Sequence, residues 1–330
     1  MEQIRYSGRR FAEVLGLSTS ELADAEERGL VHSTIKPEGP NQKISYSVED
    51  LAAARAALKR VPPHRPMRKQ LFLNFKGGTG KTSVSTSYAF RLAEMGHRVL
   101  VIDLDSQGHA SKCLGIHGEE AEKTLFDAII KKTPLDQVIL KTGMPALDLV
   151  PSNLTMSTID LSLMPLAARE FRLRNVLKEV ESRYDYAVLD APPSFGLLNL
   201  NALMAAHDLF VPVLPDFLSF HGLKLLFETV QGLEEDLEHV LDHIFIVINA
   251  YNATYKIAKE AKEALTKHYP EFLLNQVIRQ CTKFAQASSE GTPIFAYDSE
   301  SKGAQDIQAV LDEVQARVGA PVRLKAVENA

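Results

Sequence analysis

A glycine-rich segment, Lys76–Thr82 (KGGTGKT), lies between the β-type run Leu71–Phe75 and an amphipathic stretch from Ser83 to Met95. Glycines allow a loop to turn its backbone N–H groups inward, and the N-terminus of the next helix adds partial positive charge, so such a unit binds phosphate. In this pattern Lys81 reaches the β- and γ-phosphates and the Thr82 hydroxyl ligates Mg²⁺. The segment therefore predicts a P-loop fold that binds ATP and Mg²⁺. The predicted nucleotide-binding residues here are Lys76, Gly77, Gly78, Thr79, Gly80, Lys81, Thr82 and Ser83.

After this loop, apolar β-type runs alternate with amphipathic helical stretches. The pattern predicts an α/β fold, with a mostly parallel sheet covered by helices on both faces. The expected strands are Leu71–Phe75, Arg98–Asp103, Leu147–Pro151, Tyr186–Asp190, Leu209–Leu214 and Ile244–Asn249, and the expected helices include Ser83–Met95 and Ala167–Glu181. Ligands of such sheets bind beyond the carboxyl ends of the strands.

Three aspartates stand at those strand ends. Asp103 closes one strand, Asp105 lies in the loop above it, and Asp190 closes another strand, before the turn Pro192–Ser194. A carboxylate above the phosphate site can orient the attacking water, and strand-end carboxylates can hold water molecules bound to Mg²⁺. We therefore predict that Asp105 is catalytic, and that Asp103 and Asp190 contact the metal through water.

The loop departs from the strict Walker pattern, because Phe75 stands where glycine is usual and Lys76 is an additional lysine. A lysine at this end of the loop is poorly placed for its own phosphates. It can instead cross a dimer interface and offset charge on the partner's γ-phosphoryl group, as arginine fingers do. Lys76, Lys81 and Asp105 are thus the predicted catalytic residues.

Bulk properties exclude several classes. The chain has two cysteines in 330 residues, which leaves no disulfide framework or paired-cysteine metal spacing. It has no apolar run long enough to span a bilayer and no signal-like start, so we expect a cytoplasmic protein. The net charge is −5, but residues 1–70 carry 12 Lys plus Arg against 9 Asp plus Glu. Prolines in the segment 61–69 predict a linker between a small domain, 1–60, and a larger one, 70–330.

Residues 70–320 resemble the ParA/MinD group of deviant-Walker ATPases, and more closely its ParA branch. The resemblance rests on Lys76–Ser83, on Val99–Gly108, on Tyr184–Ser194 as Walker B, and on Val211–Phe217. It implies that ATP closes a homodimer, that the dimer binds DNA without sequence preference at the nucleoid, and that a ParB-like partner stimulates slow hydrolysis. The late segment Val277–Ala287 also resembles the family, although Arg279 replaces an expected proline. In that segment Lys283 is a candidate DNA contact. Asn249, at the end of an expected strand, is a candidate adenine contact.

The first 60 residues resemble the winged helix-turn-helix of the MerR family. Helices are expected at Arg10–Leu15, Thr19–Arg28 and Leu51–Lys59, with a two-stranded wing within Val31–Tyr46. The basic residues that could meet DNA phosphates are Arg9, Arg10, Lys36 and Lys43. The second helix is acidic, which does not favour DNA, so a small protein-interaction or dimerisation domain remains an alternative.

The function predicted from these features is a partition ATPase that positions a plasmid or chromosomal cargo and can repress its own operon. Two alternatives stay open: a ParA-like positioner of a protein cargo, and a nucleotide-sensing transcription regulator. A membrane-bound MinD-like protein is disfavoured, because the C-terminal segment lacks a basic amphipathic helix. A nitrogenase-type reductase is disfavoured because cluster-binding cysteines are missing.

Overall fold

The computed structural model describes residues 4–35, 44–117 and 121–318. Its main feature is a seven-stranded sheet with the order β5-β6-β4-β7-β3-β8-β9, in which every neighbouring pair is parallel except β5 and β6. These strands are β3 Arg68–Phe72, β4 Val99–Asp103, β5 Leu140–Lys141, β6 Leu147–Val150, β7 Tyr186–Asp190, β8 Asp208–Val213 and β9 His243–Ile248. Helices pack on both faces, which confirms the predicted α/β fold. No helix in the described ranges is both long enough and apolar enough to span a membrane.

The first strand of this sheet begins three residues earlier than expected, so Arg68 and Lys69 belong to it rather than to the predicted linker 61–69. Both charges are neutralised at the strand's start. Arg68 donates to both carboxylate oxygens of Asp208, which is fully buried, and Lys69 Nζ donates to Glu181 at 2.5 Å. Residues 61–67 form neither helix nor strand, as expected of a linker.

The helices after the linker are α4 Lys81–Glu94, α5 His109–Cys113, α6 Leu125–Ile129, α7 Ile159–Leu163, α8 Arg172–Leu177, α9 Leu197–Ala205, α10 Leu218–Leu237, α11 Lys256–His268, α12 Thr282–Ser289, α13 Ile294–Asp298 and α14 Lys302–Arg317. The prediction of a single helix at Ala167–Glu181 is wrong, because α8 is flanked by two short 3-10 turns, Arg169–Phe171 and Lys178–Val180. Ala168 has a left-handed φ of 49°, and the buried Asn201 amide bonds the backbone of Arg169 and Leu173. These contacts replace helical hydrogen bonds.

The N-terminal region contains α1 Gly8–Leu15, α2 Thr19–Glu27 and α3 Val48–Ala57. Ser18 and Ser47 cap α2 and α3 through reciprocal side-chain and backbone bonds, as the sequence indicates. Strand β2, Ser45–Tyr46, pairs antiparallel with β1, Tyr6–Ser7. Residues 36–43 of the expected wing lie outside the described residues.

The N-terminal region packs directly against the larger domain at the C-terminal end of α4. Glu94 is completely buried there and accepts hydrogen bonds from Arg10 at 3.0 Å and Arg91 at 2.9 Å. The Arg55 guanidinium donates to the carbonyls of Val14 and Glu94. Apolar side chains of α1 to α3 belong to the same hydrophobic cluster as those of α4 and α14. The helix that starts at the phosphate loop therefore ends in contact with the N-terminal region.

Candidate active site

The glycine-rich loop joins β3 to α4 at the carboxyl edge of the sheet. Gly78 and Gly80 have left-handed φ values of 74° and 84°, and a Cβ on Gly80 would lie 2.1 Å from Asn249 Nδ2. That amide donates to Thr79 O at 2.8 Å, so Asn249 at the end of β9 holds the loop. Only glycine satisfies both the backbone conformation and the space at position 80.

The start of α4 leaves hydrogen-bonding groups available for an anion. Gly80 is the N-cap and provides no side-chain acceptor for the first turn, and the buried Thr79 hydroxyl has no hydrogen-bond partner among the described residues. A Cβ on Gly77 or Gly78 would meet nothing within 4 Å, so the loop is open above its backbone. Free first-turn N–H groups beside an open loop fit a phosphate group.

Lys81 is the buried cation of this loop. Its side chain is 6% exposed, and its Nζ makes one long hydrogen bond, 3.3 Å, to Lys76 O. Burial lowers the pKa of Lys81, while Asp190 and Asp105 oppose that shift. An ammonium group with one weak neutral partner is suited to contact phosphate oxygens.

Thr82 and Asp190 meet at the base of the loop. Thr82 Oγ1 donates to Asp190 Oδ2 at 2.7 Å, and Ser85 Oγ donates to Asp190 Oδ1 at 2.8 Å. Burial, and then the nearby Asp103, raise the pKa of Asp190 to about 7. A hydroxyl and a carboxylate next to the phosphate loop are the oxygen ligands that Mg²⁺ prefers. Ser83 is half-buried in the first turn of α4.

Asp103 organises the loop that carries Asp105. Its carboxylate is fully buried and accepts from Ser111 N and Oγ at 2.8 and 2.7 Å, and from Asp105 N at 3.1 Å. Burial raises the pKa of Asp103 to about 6. Asp105 is half-buried above it, and among the described residues its carboxylate accepts only from the backbone N–H of Gln107, so it remains available to a water molecule. The metal contact of Asp103 through water stays a prediction.

Lys76 is held within its own chain. Its Nζ donates to both carboxylate oxygens of Asp216, at 2.7 and 3.0 Å, and its N–H donates to Asn74 Oδ1 at 2.9 Å. Hydrogen bonds from Lys76 and Ser219 outweigh the effect of burial and lower the pKa of Asp216, which keeps this carboxylate charged. Lys76 therefore has a defined position within its own chain, which its sequence motif does not predict.

Sequence reasoning missed three residues of this site: Ser85, Ser111 and Asp216. Ser85 lies one helical turn after the loop, a spacing that could have suggested a contact with Asp190. Asp216 is 140 residues from Lys76 along the chain, and its position follows only from the pairing of β3 with β8. For Asn249, the observed contact is with Thr79, and the adenine contact stays a prediction.

Of the five predicted DNA-contacting residues, the structure describes Arg9, Arg10 and Lys283. Arg9 is exposed, and Lys36 and Lys43 lie outside the described residues. The expectation for Arg10 needs correction, because its side chain is buried, ion-paired with Glu94 and stacked over Phe295. Lys283 is half-buried, 3.5 Å from an Asp298 oxygen, with the Tyr297 ring beside it.

Comparison with known proteins agrees with this geometry. Residues 67–243 match the family model described as AAA domain. The chain is 63% identical to the cell division protein PomZ of Myxococcus xanthus, over 96% of this chain and 95% of that protein. It is 31% identical to the chromosome partitioning protein ParA of Caulobacter vibrioides, over 76% of this chain and 95% of that protein. The chain belongs to the ParA/MinD group of P-loop ATPases.

Solved structures extend the comparison to the ligands. Cobyrinic acid a,c-diamide synthase from Mycobacterium smegmatis, with bound ATP analogue and magnesium, superposes with a TM-score of 0.68 at 23% identity, over 78% of this chain and all of that one. The open phosphate loop of this chain, with Thr82 and Asp190 at its base, fits ATP and Mg²⁺. When bound, they supply the phosphoryl group and the cation that offsets its charge. Lys81, the loop N–H groups, Thr82 and Asp190 are the residues that would hold them.

Proposed function

We propose that this chain is a positioning ATPase of the partition type. ATP binding closes a homodimer, the dimer binds DNA without sequence preference, and slow hydrolysis releases it. The observation that carries the proposal is the additional lysine at the start of the loop, Lys76. Its Nζ is bound by Asp216, so its cationic group can serve a partner's nucleotide once that pair opens. Hydrolysis then needs Lys81 and Asp105 of one protomer and Lys76 of the other.

The relatives support a cellular role in positioning. One relative carries a cell division name and shares 63% identity across almost the whole chain, including most of the N-terminal region, while the ParA relative covers 76% of it. We therefore favour a role in positioning a cell division or chromosomal cargo on the nucleoid, with a protein cargo as the specific alternative. A ParB-like or functionally equivalent partner would stimulate hydrolysis by completing or tightening the Asp105 loop.

The N-terminal region 1–60 is proposed as a separate helix-turn-helix unit, followed by the linker and the ATPase domain 70–330. Helices α1 and α2, joined through Gly16–Ser18, support that interpretation. Operator binding and autorepression would require α2 to enter a DNA groove, and its exposed Glu21, Asp24 and Glu27 oppose this. The packing of the N-terminal region on α4 favours the alternative, a small protein-interaction or dimerisation domain.

The proposal is tested by DNA retention in the presence of ATP, ADP or no nucleotide, for wild type and for Lys76→Ala. We expect wild type to bind random-sequence duplex DNA only with ATP, and Lys76→Ala to lose this binding while it still binds nucleotide. DNA binding that is indifferent to nucleotide and survives Lys76→Ala would instead identify a nucleotide-sensing transcription regulator whose DNA contacts lie elsewhere.

A further inference from the structure

Helix α11 buries one face and exposes lysines on the other. Ala258, Ala261 and Leu265, spaced at three and four residues, are buried against the domain core. The opposite face lines an open cavity of about 460 Å³, closed on one side by the loop after β9. The residues that line it are Tyr251, Lys259, Lys262, Glu263, Thr266 and Lys267.

The lysines of this cavity carry charge that no carboxylate among the described residues pairs with. Over the described ranges, Lys259, Lys262 and Lys267 form no salt bridge, whereas Lys256 at the start of the same helix pairs with Glu260. Lys262 Nζ lies 5.5 Å from the centroid of the Tyr251 ring. Glu263 is the one acidic residue in the lining. In a chain of net charge −5, three lysines without carboxylate partners on one helix face form a local positive surface.

We propose that this surface, Lys259, Lys262 and Lys267 with Tyr251, binds the phosphate backbone of duplex DNA. The inference rests on the proposed DNA-binding function and gives it a location that the sequence motifs do not. Three ammonium groups along about two turns of helix match a row of phosphates, and they read no base sequence, as non-specific binding requires. The apolar stripe of α11 is already used against the core, so the helix lacks the free apolar face that a membrane surface would need.

The surface is joined to the nucleotide site by a short segment. Asn249 bonds the phosphate loop through Thr79 O, and two residues later Tyr251 forms a wall of the cavity. The Tyr251 backbone also bonds Ile278 and Gln280, which fixes this wall next to the segment that leads to Lys283. A change at the phosphate loop can therefore reach the lysine surface through two residues of backbone.

The test compares the full-length protein with a combined Lys259→Ala, Lys262→Ala and Lys267→Ala variant in the presence of ATP and Mg²⁺. DNA affinity is measured on random-sequence duplex DNA across a salt series. The matched control combines Lys123→Ala, Lys131→Ala and Lys178→Ala, which removes the same charge from segments near the opposite, β5 edge of the sheet. Thermal unfolding verifies that both variants fold, and Lys259→Ala alone, at an exposed position, provides a milder version.

Three phosphate contacts correspond to about 2.7 units in the slope of log affinity against log salt, or roughly 500-fold in affinity at 0.1 M salt. We expect the α11 variant to lose most of this, Lys259→Ala to lose about eightfold, and the control variant to bind as wild type does. Equal losses of DNA affinity in the α11 and control variants would refute the assignment of the DNA site to α11, and so would wild-type affinity in the α11 variant. Either result would leave the proposed function unaffected. No ATP-dependent DNA binding by wild type would overturn both. Lysine-dependent binding to vesicles of anionic lipid, without DNA binding, would reassign the surface to a membrane.

Discussion

The contact between Lys76 and Asp216 makes a specific prediction about dimerisation. Lys76 Nζ must leave its own Asp216 before it can reach a partner's nucleotide, so the ion pair stabilises the monomer. Asp216→Asn removes the negative charge and keeps an oxygen that can accept from Ser219, whose N–H and hydroxyl each lie 2.9 Å from the Asp216 carboxylate. We expect this substitution to favour the ATP-bound dimer.

The size of the effect follows from the exposure of the pair. The side chains of Lys76 and Asp216 are 27% and 32% exposed, which places the pair between surface and interior. Ion pairs of this kind contribute up to about 1 kcal/mol, which is about fivefold in an equilibrium constant. Two such pairs open for each dimer that forms, so the dimer dissociation constant should fall by up to about 25-fold.

Sedimentation velocity with ATP and Mg²⁺ measures this constant, in an Asp105→Ala background that slows hydrolysis. Ser219→Ala is the matched control, because it removes the other side-chain contact of Asp216 and leaves Lys76 paired. Dimerisation of Asp216→Asn that is equal to or weaker than that of the parent would refute the idea that the pair holds Lys76 in reserve.

Three further predictions concern stability and the loop. Burial lowers the pKa of His97 to about 4, so its protonation favours the unfolded chain, and the unfolding free energy should fall by up to about 3 kcal/mol between pH 6.5 and 4. His97→Gln should remove that part of the urea-unfolding pH profile, and an unchanged profile would contradict this. Glu94→Gln removes the buried carboxylate that Arg10 and Arg91 share and leaves Arg10 only its exposed partner Glu13, so it should cost about 3–5 kcal/mol in urea unfolding. A loss below about 1 kcal/mol would contradict this. Gly80→Ala should abolish binding of a fluorescent ATP analogue, because its Cβ would meet Asn249 at 2.1 Å; retained affinity would show that the loop has another conformation.

Much of this fold was predictable because its signals are local. The strands around the phosphate loop are continuous apolar runs, and the loop itself needs glycine at fixed positions, so residues 76–82 and the strand-end aspartates 103 and 190 could be placed in one region from sequence. The capping serines Ser18 and Ser47 were equally readable. Each of these features depends on residues within a few positions of one another.

The features that sequence reasoning missed depend on contacts between distant segments. Arg10 has the sequence context of a DNA-facing arginine, but a buried Glu94 from another domain binds it. The helix expected at 167–181 is interrupted because Asn201 competes for its backbone. The lysine surface of α11 is recognisable only when it is known which of its residues lack carboxylate partners. Tertiary pairing decides all three.

The central claim is that Lys76 acts in trans, and a mixing experiment tests it most directly. Lys76→Ala and Asp105→Ala should each hydrolyse ATP poorly alone. In a mixed dimer, the site of the Lys76→Ala protomer has its own Asp105 and receives Lys76 from its partner, so one of the two sites is complete. Random pairing should then restore about a quarter of wild-type turnover. Turnover of the mixture that equals the average of the two separate variants would contradict a lysine shared between protomers and return Lys76 to its own nucleotide.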